Sequence, residues 1–182
     1  HFAHAYQSDH AKSTSIHYTP RHIAQQLVDA AFAGITTIQK DQAKVLDPAS
    51  GAGVFLVLSL KRLVQENWKR TGKRPDRLII RNFLNNQIYG LDINRESLKF
   101  AALSLYLTAL ELDPEPTPLE DLKFDRLSEN TLIYVGEDSE PLNSATDLLD
   151  RKLGSLSEKL ALPKGLAGSF DIVIGNPPWT EL

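Results

Sequence analysis

The residues with the most chemistry in this chain lie near its end, in Phe170-Asp171-Ile172-Val173-Ile174-Gly175-Asn176-Pro177-Pro178-Trp179. An exocyclic aromatic amine is a poor nucleophile, because its lone pair is delocalised into the ring. The Asn176 side-chain oxygen and the Pro177 backbone carbonyl could each accept one of its two N–H bonds. That arrangement localises the lone pair and aims it at an electrophile, by positioning and electrostatics rather than by a strong base. Trp179 offers a face for a base drawn out of its stack, a contact of about 1–3 kcal/mol per base in comparable systems. The same residues can also be read blandly, as a strand, a Pro-Pro turn and a tryptophan plug.

Such a site needs elements to hold it. Phe170 to Ile174 is a short β-branched apolar run, which predicts a strand buried on both faces. Proline lacks an N–H and fixes φ, so the strand must stop at Gly-Asn-Pro-Pro. Ligands of open α/β sheets bind at that carboxyl edge. Two earlier strands, Ala43 to Asp47 and Gln87 to Asp92, also end in acids. The first runs into Pro48-Ala49-Ser50-Gly51-Ala52-Gly53, whose glycines allow a tight turn and a close backbone approach to a ligand. The dinucleotide fingerprint is not met, because Leu56 stands where its third glycine would be. Asp92 is placed to hold ribose hydroxyls, or is merely a polar strand end.

Helices fill the intervals. Thr19 is the expected N-cap of a helix with Pro20 at its first position, an apolar face of Ile23, Leu27, Ala30 and Ala31, and a stop at Gly34. Its free N–H groups could also receive a carboxylate. Val54 to Lys69 is a long helix with Phe55, Leu58, Leu63 and Val64 inward. A further helix spans 76–85, and Asn94 caps another from Arg95 to about Glu111, with Leu98, Ala102, Leu105 and Ala109 on one face. Leu127 to Val135 brings a third strand, and a helical stretch is expected at 148–160. The order from residue 43 on, β-α-α-β-α-β-(α)-β, predicts a parallel α/β sheet.

Composition narrows the class. The chain has 182 residues, 42% apolar and 24% charged, enough for one domain with a sizeable core. There is no cysteine, so disulfides and thiolate metal sites are excluded and an intracellular, cytoplasmic protein is expected. His1, His4, His10, His17 and His22 match no compact ligand spacing, so no metal is expected. No run is apolar enough for a membrane span. A net charge of −3 is not that of a polybasic nucleic-acid binder. With no methionine and a start at His1, the chain is expected to be a piece of a longer protein. Residues 1–16 read as a polar arm and 17–182 as the domain.

Together these stretches resemble the amino-methyltransferases that modify DNA adenine at N6, in the subgroup whose motif order begins with Tyr-Thr-Pro. The motifs are His17-Tyr18-Thr19-Pro20, Asp47-Pro48-Ala49-Ser50-Gly51-Ala52-Gly53, Gly90-Leu91-Asp92-Ile93-Asn94 and Asn176-Pro177-Pro178-Trp179, in the family's order. The resemblance implies a Rossmann-like sheet and S-adenosylmethionine as cofactor. Tyr18, Thr19 and Pro20 would line its methionine end, and Asp47, Ser50, Gly51 and Gly53 would surround the amino-acid part. Asp92 would hold the ribose and Ile93 pack on the adenine ring. Asn130 stands where the family usually has an acid, and an amide can still accept a hydrogen bond from an adenine amine. Asn176, Pro177, Pro178 and Trp179 would orient a flipped adenine.

The resemblance is to the methylase portion of a restriction–modification or similar phage-defence protein. Further strands and the target-recognition region would lie outside this chain, leaving the fourth strand as a long apolar edge. The rival expectations are transfer to another planar nitrogen, in an RNA base or a glutamine, and a non-catalytic cofactor- or DNA-binding module.

Overall fold

The computed structural model describes residues 19–36, 38–115, 118, 120, 122–127, 131–135 and 168–177. The polar arm, Tyr18, Asn130, the 148–160 stretch, Pro178 and Trp179 lie outside the described residues. The elements run in the order α1 (Arg21–Gly34), a 3₁₀ turn (Lys40–Gln42), β1 (Val45–Asp47), α2 (Val54–Thr71), α3 (Arg77–Asn86), β2 (Ile88–Asp92), α4 (Arg95–Leu112), β3 (Leu132–Tyr134) and β4 (Ile172–Val173). All strand pairings are parallel and the sheet order is β3-β2-β1-β4. This is the expected Rossmann-like parallel α/β arrangement, with four strands among the described residues.

The register aligns the strands at their carboxyl ends. Leu46 stands opposite both Tyr89 and Val173, and Asp47 opposite Gly90. The loops after β1, β2 and β4 therefore emerge at one edge. At their amino ends β4 is tied to β1 by one backbone–side-chain bond and two backbone bonds. The Lys44 N–H donates to Asp171 Oδ2 at 2.8 Å, and the Asp171 and Ile172 N–H groups donate back to the Lys44 carbonyl.

The main core lies on the helical face. From α2, Leu56, Leu60 and Leu63 are all at 0% exposure, and each such side chain contributes roughly 1.5–3 kcal/mol relative to leaving it in water. Val45, Ile88 and Leu132 meet them from the sheet, and Leu105 and Ala109 from α4. The other face carries a smaller cluster of Leu46, Tyr89 and Leu91, with Phe170 set edge-on to Tyr89. Asn94 caps α4 through the Glu96 and Ser97 N–H groups, and Asp76 caps α3 through that of Ile79.

Several expectations are corrected. The last strand is two residues long rather than five, and Val173 is 64% exposed, so it is buried on one face only. The short β4 also replaces the expected long apolar edge. β3 covers three residues, with Leu127 buried ahead of it rather than inside it. At α1 the N-cap position is Pro20, and no side-chain cap bond is made there. The helix buries Ala24, Val28 and Phe32, while Ile23 and Leu27 are exposed. Both stripes have helical spacing. Phe32 offers the larger apolar area, and it draws the helix onto its own side.

Candidate active site at the carboxyl edge of the sheet

The loop after β1 is held by its own backbone. Gly53 sits at the start of α2 with φ of 85°, in the left-handed region that favours glycine. A Cβ on Gly53 would lie 3.0 Å from that of Ala101 in α4, so this position is also where two helices close on each other. The Ser50 N–H donates to the Leu91 carbonyl at 2.8 Å, and the Gly51 N–H donates to Asp92 Oδ2 at 2.7 Å. Those bonds bind the glycine-rich turn to the end of β2.

Asp92 accepts a second backbone bond, from the Asn94 N–H to Oδ1 at 2.8 Å. Burial pushes its carboxyl above the ordinary range, and the Asn94, Gly51 and Ile93 N–H groups partly oppose this. Two oxygens offer four acceptor sites in all, so capacity for a hydroxyl remains after these bonds. Ile93 follows directly and is 58% exposed, an apolar surface next to the acid. An acceptor pair beside an apolar surface suits a nucleoside's ribose and ring, so these residues fit the adenosine of the implied cofactor.

Asp47 is at 0% exposure. Its Oδ1 accepts from the Ala49 N–H at 3.1 Å, and its Oδ2 has no hydrogen-bond partner among the described residues. Burial pushes the carboxyl up to about 7; the Ala49 bond works against that, and the charge of Asp92 adds to it. Ser50, also buried, carries an unpartnered Oγ. Two buried polar atoms with unmet capacity in one turn are what a ligand site leaves behind when seen without its ligand. An ammonium would satisfy the acid and a carboxylate the hydroxyl, so an amino-acid moiety fits here.

The β4 loop closes on this turn. The Ile174 N–H donates to the Leu46 carbonyl at 2.9 Å. A Cβ on Gly175 would stand 2.6 Å from Asp47 Oδ1 and 3.1 Å from Pro48 Cδ, so only glycine lets the chain pass this close. Asn176 comes next, half-buried, and its Nδ2 donates to Thr19 Oγ1 at 3.1 Å, across 157 residues of sequence. Pro177 is exposed beyond it.

The fold thus brings Thr19 to Asn176, Gly51 to Asp92, and the residue before Asn176 onto Asp47. Pro20 is the exposed N-cap position of α1. Sequence reasoning missed Gly175, Asp171 and Ala101. Gly175 adjoins Asn176, which was the available hint; Asp171 and Ala101 act through contacts that only the folded chain makes.

Residues 86–182 match the family model described as Eco57I restriction-modification methylase. No curated protein matches the chain. Among solved structures it is similar to part of a DrdV–DNA complex determined by cryo-electron microscopy, at 18% identity and a TM-score of 0.44 over 66% of this chain and 11% of that one. It is similar also to part of the ATP-dependent Type ISP restriction-modification enzyme LlaBIII bound to DNA, at 21% identity and a TM-score of 0.45 over 66% of this chain and 8% of that one. The chain therefore spans a small fraction of the length of either. The family match covers more than half of the sequence and includes β2, β3, β4 and the Asn176 loop: the chain belongs to the Eco57I restriction-modification methylase family.

Proposed function

We propose that the intact protein transfers a methyl group from S-adenosylmethionine to N6 of adenine in DNA, as the modifying activity of a restriction–modification or related phage-defence system. The observation that carries this reading is the convergence of Asp47, Asp92 and Asn176 at one sheet edge, with Gly175 packed on the Asp47 carboxyl. The cofactor, when bound, supplies an electrophilic methyl on a sulfonium.

In this reading Asp92 accepts from the ribose hydroxyls, and Ile93 lies against the adenine of the cofactor. Asp47, Ser50, Gly51 and Gly53 enclose the amino-acid end, with Tyr18, Thr19 and Pro20 on its far side and Asn130 on the adenine amine. The Asn176 Oδ1 and the Pro177 carbonyl each accept one N–H of the target amine. This directs its lone pair, while Pro178 stiffens the loop and Trp179 supports the flipped base. Residues 17–182 form the amino-terminal part of the catalytic domain, behind a polar arm at 1–16. Target recognition and much of the phosphate grip come from elsewhere in the protein, since this chain carries a net charge of −3. Among the described residues no helix is long and apolar enough to cross a membrane.

The test is transfer of labelled methyl from S-adenosylmethionine by the intact protein, offered DNA, RNA and glutamine peptides in parallel, with products resolved by mass spectrometry. N6-methyladenine in DNA is expected. Label in RNA or peptide would move the reading to another planar nitrogen. Cofactor binding without transfer to any of them would make this a non-catalytic module.

A further inference from the structure

We infer that Thr19 is a positioning residue for the Asn176 carboxamide, fixing which end of the amide faces the substrate. The inference rests on the reading above and adds a role for one side chain in it. Thr19 precedes the first turn of α1, where a threonine ordinarily caps by accepting from a backbone N–H. Here Pro20 takes the N-cap position and no side-chain cap bond forms. The Thr19 hydroxyl instead accepts from Asn176 Nδ2 at 3.1 Å.

The consequence is chemical. A carboxamide can turn over, presenting either oxygen or NH₂ to a substrate, with little change in shape. An amine nucleophile needs the oxygen, because an NH₂ end would set donor against donor. A hydroxyl can also donate, so it is the observed direction of this bond, with Thr19 accepting from Nδ2, that leaves Oδ1 as the end to accept from the target amine. Donation from Nδ2 also draws negative charge onto Oδ1, which strengthens the bond it accepts. The tie runs from the start of α1 to the loop after β4, so it couples the amino-terminal motif to the nucleophile's clamp. A hydroxyl that merely touched cofactor, or merely stapled α1 to the sheet, would have no effect on amide orientation.

The experiment compares Thr19→Val, which keeps the shape and removes the acceptor, with Thr19→Ser, which restores it, in the intact protein. Thr19→Val is expected to lower kcat roughly tenfold, the scale of one hydrogen bond in the transition state. Because Thr19 also lines the cofactor in this reading, calorimetric affinity for S-adenosylmethionine should fall too, but by a clearly smaller factor than kcat, and Thr19→Ser should recover most of the rate. A second measurement needs no activity: a thermal-unfolding double-mutant cycle of Thr19→Val with Asn176→Ala. Paired residues predict that the double variant loses no more in Tm than the worse single one. Additive Tm losses would overturn the pairing. Lost cofactor affinity at unchanged kcat would leave Thr19 as a cofactor contact alone, and lowered Tm with kcat unchanged would make it a staple; either overturns the inference. If the wild-type protein methylates no adenine, the proposed function and the kinetic role fall together, while the thermal cycle still decides the pairing.

Discussion

Asp41 and Asp47 flank β1 at opposite ends, at 4% and 0% exposure, and their surroundings are opposites. At the amino end, Asp41 accepts from Asn67 Nδ2 at 2.8 Å and from Arg70 Nε and Nη2 at 2.9 and 2.7 Å. Burial works to raise its carboxyl, yet the Arg70 and Asn67 bonds outweigh it and hold the group below the ordinary range. Gln87 completes the knot by donating to the Asp41 and Ala43 carbonyls, each at 3.0 Å. At the carboxyl end, Asp47 has one backbone donor, an unpartnered Oδ2 and a carboxyl pushed up to about 7. At the amino end both oxygens of the carboxylate are engaged, although the Asn67 Oδ1 beside it has no partner among the described residues; at the carboxyl end the carboxylate itself leaves capacity over. The fold needs the first for stability, and the second is where a ligand can act.

The sharpest way to break this contrast is at Asn176. Asn176→Ala should reduce methyl transfer by about 100- to 1,000-fold, the usual cost of removing one electrostatic contact to the reacting group, with the folded state retained by circular dichroism. Turnover reduced by less than tenfold would remove Asn176 from the chemistry. Next in size, Asp92→Ala should weaken cofactor binding by roughly 10- to 100-fold in calorimetry, as for loss of hydrogen bonds to a charged acceptor. Unchanged affinity would place the ribose elsewhere.

At the amino end the expected effect is on stability alone. Asp41→Ala leaves Arg70 and Asn67 without their shared acceptor, and Tm should fall by roughly 10 °C. Cofactor affinity measured well below the new Tm should stay as it was; a matching loss of affinity would erase the division between the two ends.

The smallest effect sharpens the comparison through pH. A carboxyl with a raised folded pKa favours the protonated native state. Its contribution is full below the unfolded value, near 4, and is lost as pH rises through about 7. Asp47→Asn keeps the acceptor for Ala49 and removes the charge, so its Tm should exceed that of the wild type by a few degrees at pH 8. The gap should narrow as pH falls from 7 and nearly close at about pH 4. Equal Tm values at pH 8 and at pH 4 would mean that the native protein does not resist ionising Asp47.

Much of the architecture was legible. α2, α3 and α4 were placed within a few residues, because a buried leucine stripe in α2 and an Asn at the N-cap of α4 are local signals. The ends of β1 and β2 were legible because an apolar run ending in an acid and a turn is also local. The face of α1 was not: Ile23–Leu27 and Val28–Phe32 are both helical stripes, and the choice depends on what the sheet presents. At α4 the expected face was the buried one, with Leu98, Leu105 and Ala109 inward, although Phe100, Leu103 and Leu107 form a second, exposed stripe.

By itself the sequence determined the order of parallel βα units, the two acids at the ends of β1 and β2 and the Asn-Pro-Pro segment after β4, since each depends on neighbours a few residues away. Only the tertiary structure decided that Asp47 is buried with an oxygen unmet, that Gly175 must be glycine because Asp47 stands behind it, and that the Thr19 hydroxyl turns from capping to Asn176. Those outcomes are set by what lies across the sheet edge, 128 or 157 residues away along the chain. No local propensity encodes a contact at that separation.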